Sequence, residues 1–203
     1  MNKLTKLIIA ASAAVIAWPL TAAAQTTSFS AKGAYGSVSG NNGNLYLSAY
    51  ASEQTTRNKS DKATMAGVSV SGNYYTGTEC WYASGSSDAI TFNVVKGPVV
   101  PRQVTASATV PVTWYEYCSN FATLEDTVTV YMNLTAITDQ AYSSSGSSHT
   151  QYGPYKEIYR YDYSDAPASL DSSFMTSQQF GTVYPSYGSV GQSKTHNVSI
   201  TKQ

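Results

Sequence analysis

The chain has 203 residues with 12 bases and 12 acids, and only 12% of them are charged, against about 25% in a typical globular protein. A balance this close to neutral supplies no pull toward nucleic acid or anionic lipid, both of which need clustered Lys and Arg, so nucleic acid is not an expected partner. Ser, Thr, Tyr, Asn and Gly supply the polarity instead, a composition suited to an exported β-protein with hydroxyl and amide surfaces.

The first 24 residues read as a secretory signal peptide: Lys3 and Lys6, an apolar run over 7–18, then Pro19 and the small residues Ala22, Ala23 and Ala24 ahead of Gln25. A membrane anchor needs about 20 apolar residues, and this run stops short. No Cys follows the cleavage site, which disfavours a lipid anchor. Removing Lys3 and Lys6 leaves ten bases against 12 acids, a formal charge of about −2. No later stretch is apolar enough for a transmembrane helix, and the expected location is secreted or periplasmic.

Period-two alternation then recurs down the chain. Leu45, Leu47, Ala49 and Ala51 alternate with Tyr46, Ser48 and Tyr50, and Val68 and Val70 give a shorter version. Ile90, Phe92 and Val94 follow, then Val104, Ala106, Ala108, Val110 and Val112, then Val128, Val130, Met132, Leu134 and Ala136. Each pattern marks a strand with one face in a core and one in water. Gly, Asn, Pro and Ser clusters at 40–43, 57–62, 72–73, 85–88, 97–101, 143–148 and 165–167 read as turns. His149 falls in a flexible loop on this reading, and His196, Val198 and Ile200 lie on a last strand.

About nine or ten strands and almost no helix imply an all-β fold, an antiparallel sandwich of immunoglobulin-like or jelly-roll-like kind, with an up-and-down barrel as the alternative. The mature 25–203 forms one β-sandwich domain or two modules of about 90 residues. A repeat relating 49–54 to 135–140 puts inward positions on outward ones, which a strand register does not survive without a bulge.

Cys80 and Cys118 are the only cysteines and read as one disulfide in an oxidising compartment, worth roughly 4 kcal/mol on the chain-entropy model. No metal or cofactor is expected: a structural zinc wants four ligands, and Asp162, Asp165 and Asp171 lack the spacing of a calcium loop.

Tyrosine is the unusual residue, with 17 copies. Tyr155, Tyr159, Tyr161 and Tyr163 would share one strand face with Glu157, while Lys156, Ile158, Arg160 and Asp162 share the other. Flat rings with hydroxyl rims bring large contact area at low entropy cost, which makes these four the first ligand-binding candidates. Trp81 and Trp114 near the two cysteines are the others, although an indole packed on a disulfide is ordinary sandwich core.

Catalytic signals are thin. No Gly-x-Ser-x-Gly elbow occurs, and acid pairs for glycoside hydrolysis would have to come from Glu116, Glu125, Asp126, Glu157 or Asp162. The expected function is therefore a non-catalytic binding or cell-surface interaction protein, carbohydrate-binding through exposed tyrosines, with a glycan or another extracellular protein as partner. The alternatives are a secreted polysaccharide hydrolase and an assembly subunit using strand addition, with 195–201 as its edge.

Overall fold

A computed structural model describes residues 25–59, 61–119 and 121–201; the expected signal peptide lies outside the described residues. Twelve strands follow one another: β1 (Gln25–Asn42), β2 (Leu45–Asn58), β3 (Asp61–Tyr75), β4 (Cys80–Ser87), β5 (Ile90–Val95), β6 (Gln103–Glu116), β7 (Thr123–Ala136), β8 (Tyr142–Tyr152), β9 (Tyr155–Leu170), β10 (Phe174–Ser177), β11 (Gly181–Val183) and β12 (Tyr187–Thr201). One 3-10 turn, Thr138–Gln140, interrupts them. The fold is all-β and antiparallel, as the alternation predicts. No helix among the described residues is long and apolar enough to cross a membrane.

The strands run in the order β11-β10-β7-β6-β4-β3-β2-β1-β12-β9-β8, with β5 on β6. Leu134, Thr135 and Ala136 of β7 also pair with Leu170, Ser169 and Ala168 of β9. That pairing closes the path into a ring, so the two facing layers belong to one continuous sheet. Val38, Leu47, Ala49, Val68 and Val70 on one layer meet Val104, Val112, Val130, Met132 and Leu134 on the other. The layers approach closely: a Cβ on Gly36 would come within 2.9 Å of Leu134 and 3.0 Å of Val104.

Cys80 and Cys118 are bonded with a Cα–Cα distance of 5.4 Å, within the usual range for a bridge. Two buried acids hold the neighbouring turns. Glu116 accepts from the backbone N–H groups of Cys118, Ser119 and Phe121. Asp126 accepts from Trp114 Nε1 at 2.9 Å, the Ser177 hydroxyl at 2.6 Å and the Gln178 N–H at 3.1 Å. A buried carboxylate persists only when its lone pairs are occupied in this way. These two acids are thereby committed to structure.

The second layer stops at the 97–102 loop, where the Val99 carbonyl accepts hydrogen bonds from Ser164 and Gln192. Beyond it β1, β2, β3, β8, β9 and β12 continue as a single layer. Within 26–35, 52–58, 61–67, 142–152, 155–163 and 192–201, only Ala31 is buried.

Several sequence expectations change here. The turns expected at 72–73 and 165–167 lie within β3 and β9, held extended by their ladder partners, and two further segments are placed differently. Residues 143–149 are not a turn and flexible loop but the middle of β8, paired residue for residue with β9. Gly153, in the left-handed region at φ 53°, makes the tight connection, and pairing to β9 supplies what a Ser-rich segment lacks in strand propensity. Residues 195–201 are not an edge, because they pair with β1 on one side and β9 on the other. β8 is an open edge of the single layer, as is 61–67 of β3, which pairs with β2 alone.

Candidate functional site

No bulge interrupts the pairings among these six strands, so parity alone assigns every side chain of the single-layer region to a face. One face carries Tyr155, Tyr159, Tyr161 and Tyr163, as the strand period implies. Pairing adds further tyrosines to it, among them Tyr35 from β1, Tyr50 from β2, and Tyr142 and Tyr152 from β8.

These rings form a row across the sheet. Tyr35 stacks on Tyr50 at a centroid distance of 5.4 Å and on Tyr163 at 6.2 Å. Tyr142 lies 5.9 Å from Tyr163, and Tyr159 lies 6.2 Å from Tyr161. Two glycines make room for the rings. A Cβ on Gly146 would sit 2.7 Å from the Tyr161 ring, and one on Gly191 would collide with the Tyr35 ring. Each tyrosine therefore lies down over the neighbouring strand instead of standing away from it.

The hydroxyls are held as well. Tyr35 Oη is 2.6 Å from Tyr163 Oη and donates to Asp165 Oδ1 at 2.9 Å. Burial, followed by these hydrogen bonds and the nearby Asp165 charge, pushes the Tyr35 hydroxyl far above the ordinary tyrosine range. Tyr142 is pushed up to about 12, first by its hydrogen bond with Tyr163. Burial raises Tyr50, with Tyr163 adding to the shift. Tyr35, Tyr50 and Tyr142 are thus neutral, protonated phenols at any physiological pH.

Exposure differs along it. Tyr50 and Tyr142 are 45% and 54% exposed, Tyr159 and Tyr161 are 37% and 39% exposed, and Tyr35 and Tyr163 are half-buried. Tyr155, also half-buried, donates to Glu157 Oε2 at 3.1 Å.

The tryptophans take a different place. Trp114 is fully buried and packs edge-on against Phe180 at 4.5 Å, so it is a core residue and leaves the ligand-contacting candidates. Trp81 is half-buried beside the same Phe180. The exposed aromatics near the disulfide include Tyr82 and Tyr115, directly opposed on β4 and β6, Tyr75 opposite Cys80, and Tyr117 beside Cys118. The acids considered for hydrolysis do not converge: Glu116 and Asp126 are occupied as described, and Glu157 and Asp162 lie on opposite faces of β9.

Tyr35 and Tyr142 escape a sequence reading because neither has another tyrosine at alternating positions beside it. Tyr50 does belong to the outward set of its alternating strand, but which rings it would meet depends on strand order. Among the described residues no group of three or more His, Cys, Asp or Glu could hold a metal ion. No family model matches the chain, and neither does any curated protein or any solved structure.

Proposed function

We propose that this is an exported, non-catalytic binding protein that takes a glycan on its tyrosine face. The observation that carries the reading is the row Tyr50, Tyr35, Tyr163 and Tyr142, four rings from four strands in lateral contact. Rings fixed on strands lose little entropy on binding, and the apolar faces of sugars stack on such platforms while hydroxyl rims supply hydrogen bonds. The disulfide fits an oxidising compartment. The test is binding to an array of neutral polysaccharides and glycans by the purified protein and by Tyr142→Ala and Tyr161→Ala. A hit that either variant loses with its fold intact supports the reading; silence across the array removes it.

A second reading is favoured by a specific observation. β8 presents an open edge of 11 residues with no Pro and no Lys, the devices that ordinarily blunt an edge. Strand addition at this edge would make the protein an assembly subunit.

A further inference from the structure

The reverse of the tyrosine face is the outward run of the core face. On β1, β2, β3 and β12 the positions that hold Val38, Leu47, Val68 and Val190 inside the body continue, past the 97–102 loop, as Lys32, Arg57, Lys62 and Lys194. Lys156 and Arg160 on β9 join them. All six bases of these strands' described residues lie on this face and none on the tyrosine face. Its acids are Glu53 and Asp162, six bases against two acids. A chain with near-zero net charge therefore carries a strongly positive patch, because the strand order gathers bases distant in sequence.

The register arranges them in two adjacent cross-strand rows. Arg160, His196, Ser30, Arg57 and Lys62 follow one another across β9, β12, β1, β2 and β3; Asp162, Lys194, Lys32, Thr55 and Thr64 form the neighbouring row. At a strand spacing of about 4.8 Å, the first row is about 19 Å long. Arg57 directly opposes Lys62, and Lys32 directly opposes Lys194. Like charges at directly opposed positions destabilise a sheet, so both pairs weaken the free protein and would be relieved by an anion lying across them. A depression of about 310 Å³ is lined by all four together with Ser30 and Thr55. A second cavity, of about 510 Å³, also opens on this side, at the loop, and shares Lys32 and Lys194.

We infer that this face binds a linear carboxylate-bearing polysaccharide laid across the strands. Charge complementarity selects a polyanion. The lining selects among polyanions, since the groups between the bases are Ser and Thr hydroxyls suited to sugar hydroxyls and carboxylates. Single-stranded nucleic acid is held by large aromatic rings on which bases stack. Here every Tyr and Phe of the single-layer segments lies on the other face, the basic face carrying the imidazoles of His149 and His196 alone. The inference does not depend on the tyrosine reading.

The test is binding of the purified protein to polygalacturonate, with dextran as neutral control, in low and moderate salt. The expected result is binding to polygalacturonate alone, weakened by salt and weakened at least tenfold in Arg57→Gln/Lys62→Gln and in Lys32→Gln/Lys194→Gln. Arg57→Gln/Lys62→Gln should melt no lower than the parent, because it loses only a like-charge pair. Lys32→Gln/Lys194→Gln also loses the pairing of Lys194 with Asp162 and should melt close to the parent. Tyr161→Ala should bind polygalacturonate as the parent does. Unchanged binding in both double variants, no binding in the parent, or a lower melting temperature in Arg57→Gln/Lys62→Gln would overturn the inference. Equal or tighter binding of single-stranded DNA or of anionic lipid vesicles through the same four residues would also overturn it.

Discussion

Tyr35 lies over Gly191, its opposite number on β12, and reaches past it to the hydroxyl of Tyr163 and the carboxylate of Asp165 on β9. One side chain thereby ties three strands where the second layer has ended and packing alone offers little. The contact requires glycine at 191, since any Cβ there occupies the space of the ring. Gly191→Ala should therefore displace Tyr35 and cost about 1–3 kcal/mol through the lost ring contact and hydrogen bonds. Gly67→Ala, whose Cβ would find its nearest neighbour at 3.5 Å, should stay within about 1 kcal/mol of the parent. Urea unfolding of the two variants checks the contrast; equal losses would mean that Gly191 is not reserved for the ring.

The same hydroxyl cluster predicts an alkaline limit. Tyr35 and Tyr142 titrate above the ordinary tyrosine value of 10.0 in the folded protein. Their unfolded counterparts lose a proton first as pH rises, so the native state then binds more protons and stability falls with pH. The contribution is complete below about pH 10 and, for Tyr142, is lost between about 10 and 12. Urea midpoints should drop across that interval. The drop should be shallower in Tyr142→Phe, which has no hydroxyl to titrate there. An identical pH slope in parent and variant would disprove the assignment.

How much of this was legible beforehand follows from what period two can and cannot encode. Alternation along 45–51, 104–112 and 128–136 identifies strands and their buried faces because each apolar side chain must point inward on its own strand. The same rule separates Tyr159 and Tyr161 from Arg160 without any structure. It carries no information on which strand lies next to which, so the meeting of Tyr50, Tyr35 and Tyr163 and the opposition of Lys32 to Lys194 emerge only from the pairing. Ser143 to Ser148 has turn-like composition because its ladder partners, not its side chains, hold it extended. Trp114 continues the inward set Val104, Ala106, Val110 and Val112, so its burial follows from the same period once 103–116 is taken as one strand.

Inside the body, Asp126 organises more than its own strand. It receives the Trp114 indole N–H, the Ser177 hydroxyl and the Gln178 N–H, joining β6, β7 and the end of β10. Asp126→Ala strands a buried indole N–H and a buried hydroxyl, each costing about 1–3 kcal/mol when left unpaired, so a total loss of about 2–6 kcal/mol is expected. Asp126→Asn keeps an acceptor oxygen and should lose less. Thermal unfolding of both variants, with tryptophan fluorescence reporting on Trp114, distinguishes this from a surface acid, whose removal would leave both unchanged.

The disulfide closes a sequence separation of 38 residues, spanning β4, β5 and β6. A loop of that length restrains the unfolded chain by roughly 4 kcal/mol, and removing a native bridge commonly costs about 2–5 kcal/mol. Cys80→Ser/Cys118→Ser should therefore fall in that range by urea unfolding while retaining the strand spectrum by circular dichroism. The bridge sits at the far side of the body from the single-layer region, so the double variant should keep the glycan binding proposed for the tyrosine row. Loss of binding without loss of fold would instead place the ligand near Tyr82 and Tyr115.

The open edge at β8 gives the last expectation. Its 11 residues are paired to β9 on one side only, and the five serines, Gly146, His149 and Thr150 of 143–150 include no Lys, Arg, Asp or Glu to guard the free backbone groups. An edge of this kind recruits another strand unless a lysine or proline prevents it. On the assembly reading, the protein should associate as concentration rises, and Ser145→Lys/Ser147→Lys should return it to monomer in light scattering without lowering its melting temperature appreciably. Those two positions point away from the tyrosine face, so glycan binding there should survive the change. A parent protein that stays monomeric at every attainable concentration would leave β8 as a solvated edge and the tyrosine row as the surface to pursue.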